Sequence, residues 1–285
     1  FEICMSTDKE DGMSKLFLFC SLIILITGCA MNVDLTNPAP ASLQQNEVIT
    51  TPYSIAKIQY YPSRNILYIW EKGTSNIHIL QNGKEVNVVG GLGFAKENFQ
   101  RLTDIGVGPD GALYGLDQIP QKIKKFDIDG KWLLDYDVSW SQEPAKFAID
   151  SSNQIILFDD IAREFIFSSD LRPEEVFRFG KFQVTHVIQL AIENNTLIVN
   201  EPEPKQTSFF TVLGEYIETR QGQMASDMKG NLYRLDTNYI TFIPSNQTAS
   251  SSIDPYTGIY CFDPYIITTT DHQVQRWLIN YAAKR

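Results

Sequence analysis

The chain is poor in the residues on which most enzyme chemistry depends. It has three histidines and four cysteines among 285 residues. His78, His186 and His272 show neither an HxH nor an HExxH spacing, so no metal-binding or triad motif is legible and no cofactor is expected. There is no GxSxG nucleophile turn and no P-loop. The glycine-rich "GGLGF" at 90–94 follows no βα pattern and reads as a loop. "DIDG" at 127–130 lacks the remaining oxygens of a calcium loop and reads as a hairpin turn. No amphipathic helix of ordinary length is visible. The net charge is −10 with no Lys/Arg run, which argues against nucleic acid or anionic headgroups as the main partner. What the chain does have is apolar material, 43% of it, enough for one large or two modest domains.

Met13-Ser14-Lys15 is a short basic start, followed by an apolar run of eleven residues, Leu16 to Ile26. That is too short to span a bilayer, which takes about 20 residues, but it suits a secretory signal. "ITGC", residues 26–29, resembles the bacterial lipobox. The resemblance implies cleavage before Cys29 and a diacylated or triacylated N-terminal cysteine, hence a cell-envelope protein held on the membrane by lipid. Ala30, in place of an aspartate, points by the same family rule to the outer membrane of a two-membrane cell. Residues 1–12 are expected to lie upstream of the true start and 13–28 to form the signal. Residues 29–46, rich in Pro, Ala, Asn and Gln, are expected to be a flexible tether. Losing the leader removes four acidic and two basic residues and leaves the mature chain at −8. Cys4 and Cys20 go with it, leaving Cys261 alone in the apolar "GIYCF" as a buried, inert thiol. The Asn194 and Asn246 sequons carry little meaning in such a protein.

Residues 47–285 are expected to form the folded domain. "LTDIGVGPDGALYGLD", residues 102–117, reads as strand, tight turn, strand, and the pattern returns. An apolar residue near the start of the second strand recurs at Leu67, Leu113, Ile156, Leu197, Leu232 and Ile266, at intervals of 46, 43, 41, 35 and 34 residues. Each unit has room for about four strands, a propeller blade. The preceding strands share an order of polar, large apolar, small in Asp104-Ile105-Gly106, Lys146-Phe147-Ala148, Gln189-Leu190-Ala191 and Gln223-Met224-Ala225, and Lys57-Ile58-Gln59 keeps its first two places. Thr257-Gly258-Ile259 departs from it. That order suits innermost strands, which crowd near an axis. The last unit is short, and the stretch near Glu47 to Thr51 is expected to supply its outer strand and close the ring.

The units resemble NHL-type six-bladed β-propellers. The resemblance is carried by 105–117, with Asp110-Gly111 at its turn, by "IKKFDIDG" at 123–130, and by "DHQVQRW" at 271–277. Residues 165–180 and 200–220 match only in pattern, and "NEPEPKQ" breaks the spacing. The resemblance implies an all-β six-bladed propeller, a fold that hosts binding scaffolds as well as lyases and lactonases. The polar ring Lys57, Asp104, Lys146, Gln189, Gln223 and Thr257 is the candidate site, gathered at one channel mouth. The alternative is that Asp104 serves only to pair with Lys57 and Lys146. Two functions follow. One is a non-catalytic envelope lipoprotein that presents its propeller to a protein, peptide or glycan. The other is a propeller lyase or lactonase-like hydrolase working at the channel mouth.

Overall fold

The computed structural model describes residues 41–169, 176–243, 246–249 and 255–281. The upstream extension, the signal, Cys29 and the tether as far as residue 40 lie outside them. Strand β1 is Ala41–Thr50. Blade 1 follows with β2 (Ile55–Tyr61), β3 (Ile66–Glu71), β4 (Asn76–Gln81) and β5 (Lys84–Gly90), and blade 2 with β6 (Leu102–Val107), β7 (Leu113–Asp117), β8 (Lys122–Phe126) and β9 (Trp132–Asp137). Blade 3 holds β10 (Pro144–Ile149), β11 (Ile155–Asp159), β12 (Glu164–Ser168) and β13 (Val176–Phe179). Blade 4 holds β14 (Gln189–Glu193), β15 (Thr196–Glu201), β16 (Gln206–Thr211) and β17 (Tyr216–Gln221). Blade 5 holds β18 (Gln223–Ser226), β19 (Leu232–Leu235), β20 (Ile240–Phe242) and β21 (Gln247–Ala249). Blade 6 holds β22 (Gly258–Phe262), β23 (Tyr265–Thr269) and β24 (Gln273–Tyr281), and β1 closes it as the outer strand, giving the order β1-β24-β23-β22. All six sheets are four-stranded and antiparallel: a six-bladed propeller.

Each recurring apolar position lies at the first or second residue of its blade's second strand, and all six are buried. The turns take the conformations their residues favour. Gly111, Gly230 and Asn153 all have positive φ, which glycine and asparagine adopt at little cost. Small residues on the inner strands prove necessary: a Cβ on Gly106 would lie 2.7 Å from the Phe147 ring.

Because strand side chains alternate, each blade offers an apolar set to both neighbours. Six buried clusters fill the six seams. Ile66, Tyr68 and Ile79 meet Ile105, Leu113 and Phe126 between blades 1 and 2, and Phe158 and Phe165 meet Leu197 and Phe210 between blades 3 and 4. The seam between blades 4 and 5 is the leanest, with Ile198, Phe209, Met224 and Leu232. Polar bonds supplement it. The Asn200 side chain accepts from Met224 N at 2.9 Å and donates to Met224 O at 3.0 Å.

Ring closure corrects the expected tether boundary of 29–46. The closing strand starts at Ala41, six residues before Glu47. Leu43 pairs with Ile279 and Ile49 with Val274, with a bulge between Gln45 and Glu47. Leu43 packs on the cluster between blades 5 and 6 and Ile49 on the cluster between blades 6 and 1. Six residues apart on a regular strand, the two would share a face. The extra residue at Asn46 inverts the phase and lets one strand serve both seams.

Candidate functional site

The polar ring falls at one end of the inner strands: Lys57, Asp104 and Lys146 are the third residues of β2, β6 and β10, Gln189 and Gln223 open β14 and β18, and Thr257 just precedes β22. Lys57 and Asp104 form a buried ion pair, Nζ to Oδ1 2.6 Å, with Asp104 wholly inaccessible. Burial pushes the Lys57 ammonium below its ordinary range, and the Asp104 charge opposes this. The second Asp104 oxygen accepts from Phe147 N at 2.9 Å. Lys146 donates to Thr103 O at 2.9 Å and thus joins the same group. Gln189 reaches past blade 5 and donates to Ile259 O of blade 6 at 2.9 Å. Exposed Thr257 bonds within its own blade to Thr269. Gln223 opens β18, half-buried. The structure therefore links Lys57 and Asp104 directly and brings Lys146 to the adjoining Thr103 carbonyl, whereas Gln189 and Thr257 are bonded to blade 6.

An axial cavity of about 140 Å³ runs along the inner strands. From the ring, only Lys57 and Gln189 line it. Gln59, Phe147, Tyr260, Cys261, Phe262 and Glu193 are among the other walls. Glu193 closes β14, four residues on from Gln189, so it lies roughly 13 Å further along the axis. Burial, then the negative charges of Asp263 and Asp227, push its carboxyl up to about 8. Cys261 is a free, half-buried thiol, not the fully buried one expected, and burial followed by Glu193, Asp227 and Asp263 pushes it well above its ordinary range. None of the three histidines lines the cavity. His78 is stacked on Tyr53 at 3.7 Å, with Nδ1 2.7 Å from Glu85. His186 and His272 lie on surface loops.

The loops at the ring end form a rim. These are the blade-to-blade connections and those joining second to third strands. Buried acids at the ends of second strands anchor them. Asp117 accepts from Arg101 N at 2.9 Å, and Glu201 from Thr185 N at 3.0 Å. Asp159 accepts from Gln142 N at 2.6 Å, Ser141 Oγ at 2.8 Å and Ala162 N at 2.9 Å. Burial alone would raise Asp159, but these donors outweigh it and hold the carboxyl below its usual range. Sequence reasoning passed over these acids, although an acid follows the recurring apolar residue by three or four positions in five of six units: Glu71, Asp117, Asp159, Glu201 and Asp236. On the loops they secure, apolar side chains point outward. Phe94 is 90% and Leu92 78% exposed, and Ile119, Ile161, Phe182 and Tyr239 are also exposed. Loops at the opposite end expose Leu213 and Met228.

No family model matches this chain, and neither does any curated protein. The fold is that of six-bladed propellers. Solved structures similar to it include a virginiamycin B lyase from Staphylococcus aureus, 13% identical with a TM-score of 0.57 over 84% of this chain and 99% of that one. Another is a gluconolactonase of Xanthomonas campestris, 12% identical with a TM-score of 0.60 over 86% and 99%. A third is a protein of unknown function from Bacteroides thetaiotaomicron, 10% identical with a TM-score of 0.60 over 85% and 73%. At such identities the likeness establishes the fold and nothing finer.

Proposed function

We propose that this chain is a binding module of a bacterial envelope, anchored through a lipidated Cys29 and built on NHL-like repeats, that docks an apolar segment of a protein or peptide on its ring-end rim. One observation carries the reading: among the described residues, six exposed apolar side chains crown the ring-end loops against two on the loops at the other end. Single exposed apolar residues need no explanation, but a set gathered on one face does. Hydrogen bonds tie the loops to one another, Phe182 N to Arg163 O at 2.8 Å and Gln118 Nε2 to Pro144 O at 3.1 Å, so the surface is preorganised. The anchor rests on the signal and lipobox pattern of residues 13–29. β1 runs from the opposite end toward the rim, since Ala41 pairs with Tyr281 and Thr50 with Gln273. A lipid-held chain therefore enters away from the rim and leaves it facing outward.

A lyase or lactonase is the second reading, favoured by the names of two similar structures. A histidine-to-alanine variant of the staphylococcal lyase is catalytically inactive, whereas no histidine lines the cavity here, which supports the binding role. Photo-crosslinking in intact cells tests it, with the reactive side chain placed at Phe94 or at Met228. The expected result is a discrete adduct from position 94 that the Met228 site does not give. Equal adducts from both positions, or none from position 94, would refute the docking face.

A further inference from the structure

We propose that the axial cavity binds a small organic cation, an ammonium of a few heavy atoms, with its charge against Glu193 and its body against Phe147, Ile192 and Phe262. This is separate from docking on the rim. The cavity, about 140 Å³, is in the size class that takes a molecule as large as benzene. Its walls are largely apolar and aromatic, with a few polar groups, as ligand sites usually are.

The charges decide the ligand's sign. Among the described residues no donor or cation meets the Glu193 carboxyl. Two more carboxylates act on it, Asp227 just after β18 of the neighbouring blade 5 and Asp263 just after β22 of blade 6. Both are held by their own surroundings. Asp227 accepts from Lys229 N, Asn231 N and Nδ2 and Tyr233 OH, and the one Tyr281 hydroxyl proton lies between Asp227 at 3.0 Å and Asp263 at 2.7 Å. The nearby cations are committed elsewhere. Lys57 is paired with Asp104, and Lys229 lies 3.3 Å from the centre of the Tyr281 ring. Tyr260 and the Cys261 thiol remain neutral, both pushed upward by burial. An anion is repelled here, a neutral molecule gains apolar contact alone, and an ammonium gains contact and three favourable charges. Because burial and the two neighbouring acids raise the Glu193 carboxyl to about 8, an entering ammonium favours loss of its proton at neutral pH. Uptake is thereby coupled to proton release.

Calorimetric titration of the purified protein at neutral pH, with propylammonium chloride and separately with the neutral 1-propanol, tests the proposal. Two buffers of different ionisation enthalpy count the protons. The expected result is saturable one-to-one uptake of propylammonium with release of most of a proton, and no saturable uptake of the alcohol. Glu193→Gln is expected to weaken the cation by about thirtyfold or more without lowering the melting temperature. Ala191→Leu, which fills the cavity from β14 and keeps the charge, is expected to weaken it too. Undiminished binding in Glu193→Gln, equal uptake of alcohol and ammonium, or no saturable uptake by the unaltered protein would each overturn the proposal.

Discussion

The two ends of the propeller axis carry the same kinds of residue with opposite outcomes. At the ring end, Asp104 finds Lys57 on one neighbouring blade and Phe147 N on the other. At the far end, Glu193 faces Asp227 and Asp263, acids like itself. A charged group on the inner strand is structural where adjacent blades supply its complement, and available to a ligand where they supply more of the same sign. Asp104 is wholly buried and Glu193 half-buried, but it is the partners that set the two ends apart.

The largest expected effect comes from breaking the compensated end. Asp104→Ala leaves the buried Lys57 ammonium unpaired and is expected to cost about 3–5 kcal/mol in denaturant unfolding, whereas the double replacement Lys57→Met with Asp104→Leu is expected to recover most of that loss, short of about 1–3 kcal/mol for the Phe147 N–H left without its acceptor. A double variant as unstable as the single one would show that shape, and not charge pairing, governs this end.

The uncompensated end is expected to reveal itself as pH dependence. The Glu193 carboxyl is raised from 4.5 to about 8, so the folded state binds more protons than the unfolded chain between those values. Stability is therefore expected to fall as pH rises through that window, by at most about 1.4 kcal/mol per pH unit. Glu193→Gln is expected to remove this component, which thermal melts across the window would show. An unchanged pH profile in the variant would place the cost elsewhere. The smallest effect is expected from Lys146→Met, which gives up one half-buried bond to Thr103 O. A loss near 1 kcal/mol is expected from unfolding curves. A loss as large as that of Asp104→Ala would make Lys146 an equal member of the charge group.

Much of the architecture was legible in the chain because its signals are local. The recurring Leu67-to-Ile266 set, the Asp-Gly and Asn turns and the small residues at Gly106 and Ala148 each act within one hairpin. The start of the closing strand was not legible. The bulge at Asn46 breaks the alternation that would have revealed Leu43 and Ile49 as one strand, and polar neighbours made the segment resemble a linker. The ring was readable as a set of positions, since it recurs at a fixed place in each unit. Glu193 was not readable, because nothing in "QLAIENNT" sets its glutamate apart from an ordinary turn residue. The acids that anchor the rim were visible in five of the six units, but their work is done on loops some sixteen or seventeen residues away, as in Asp117 with Arg101 and Gln100.

By itself, then, the sequence determined that there would be six small antiparallel sheets, since alternation and turn chemistry operate over a few residues. It also determined that their inner strands would be narrow and would carry polar groups near one end. Only the tertiary structure decided which of those groups were satisfied. Lys57 meets Asp104 across 47 positions, a distance closed only when neighbouring blades pack. Glu193 acquires its acidic neighbours in the same way, because electrostatic energy depends on separation in space, and the fold alone sets that separation.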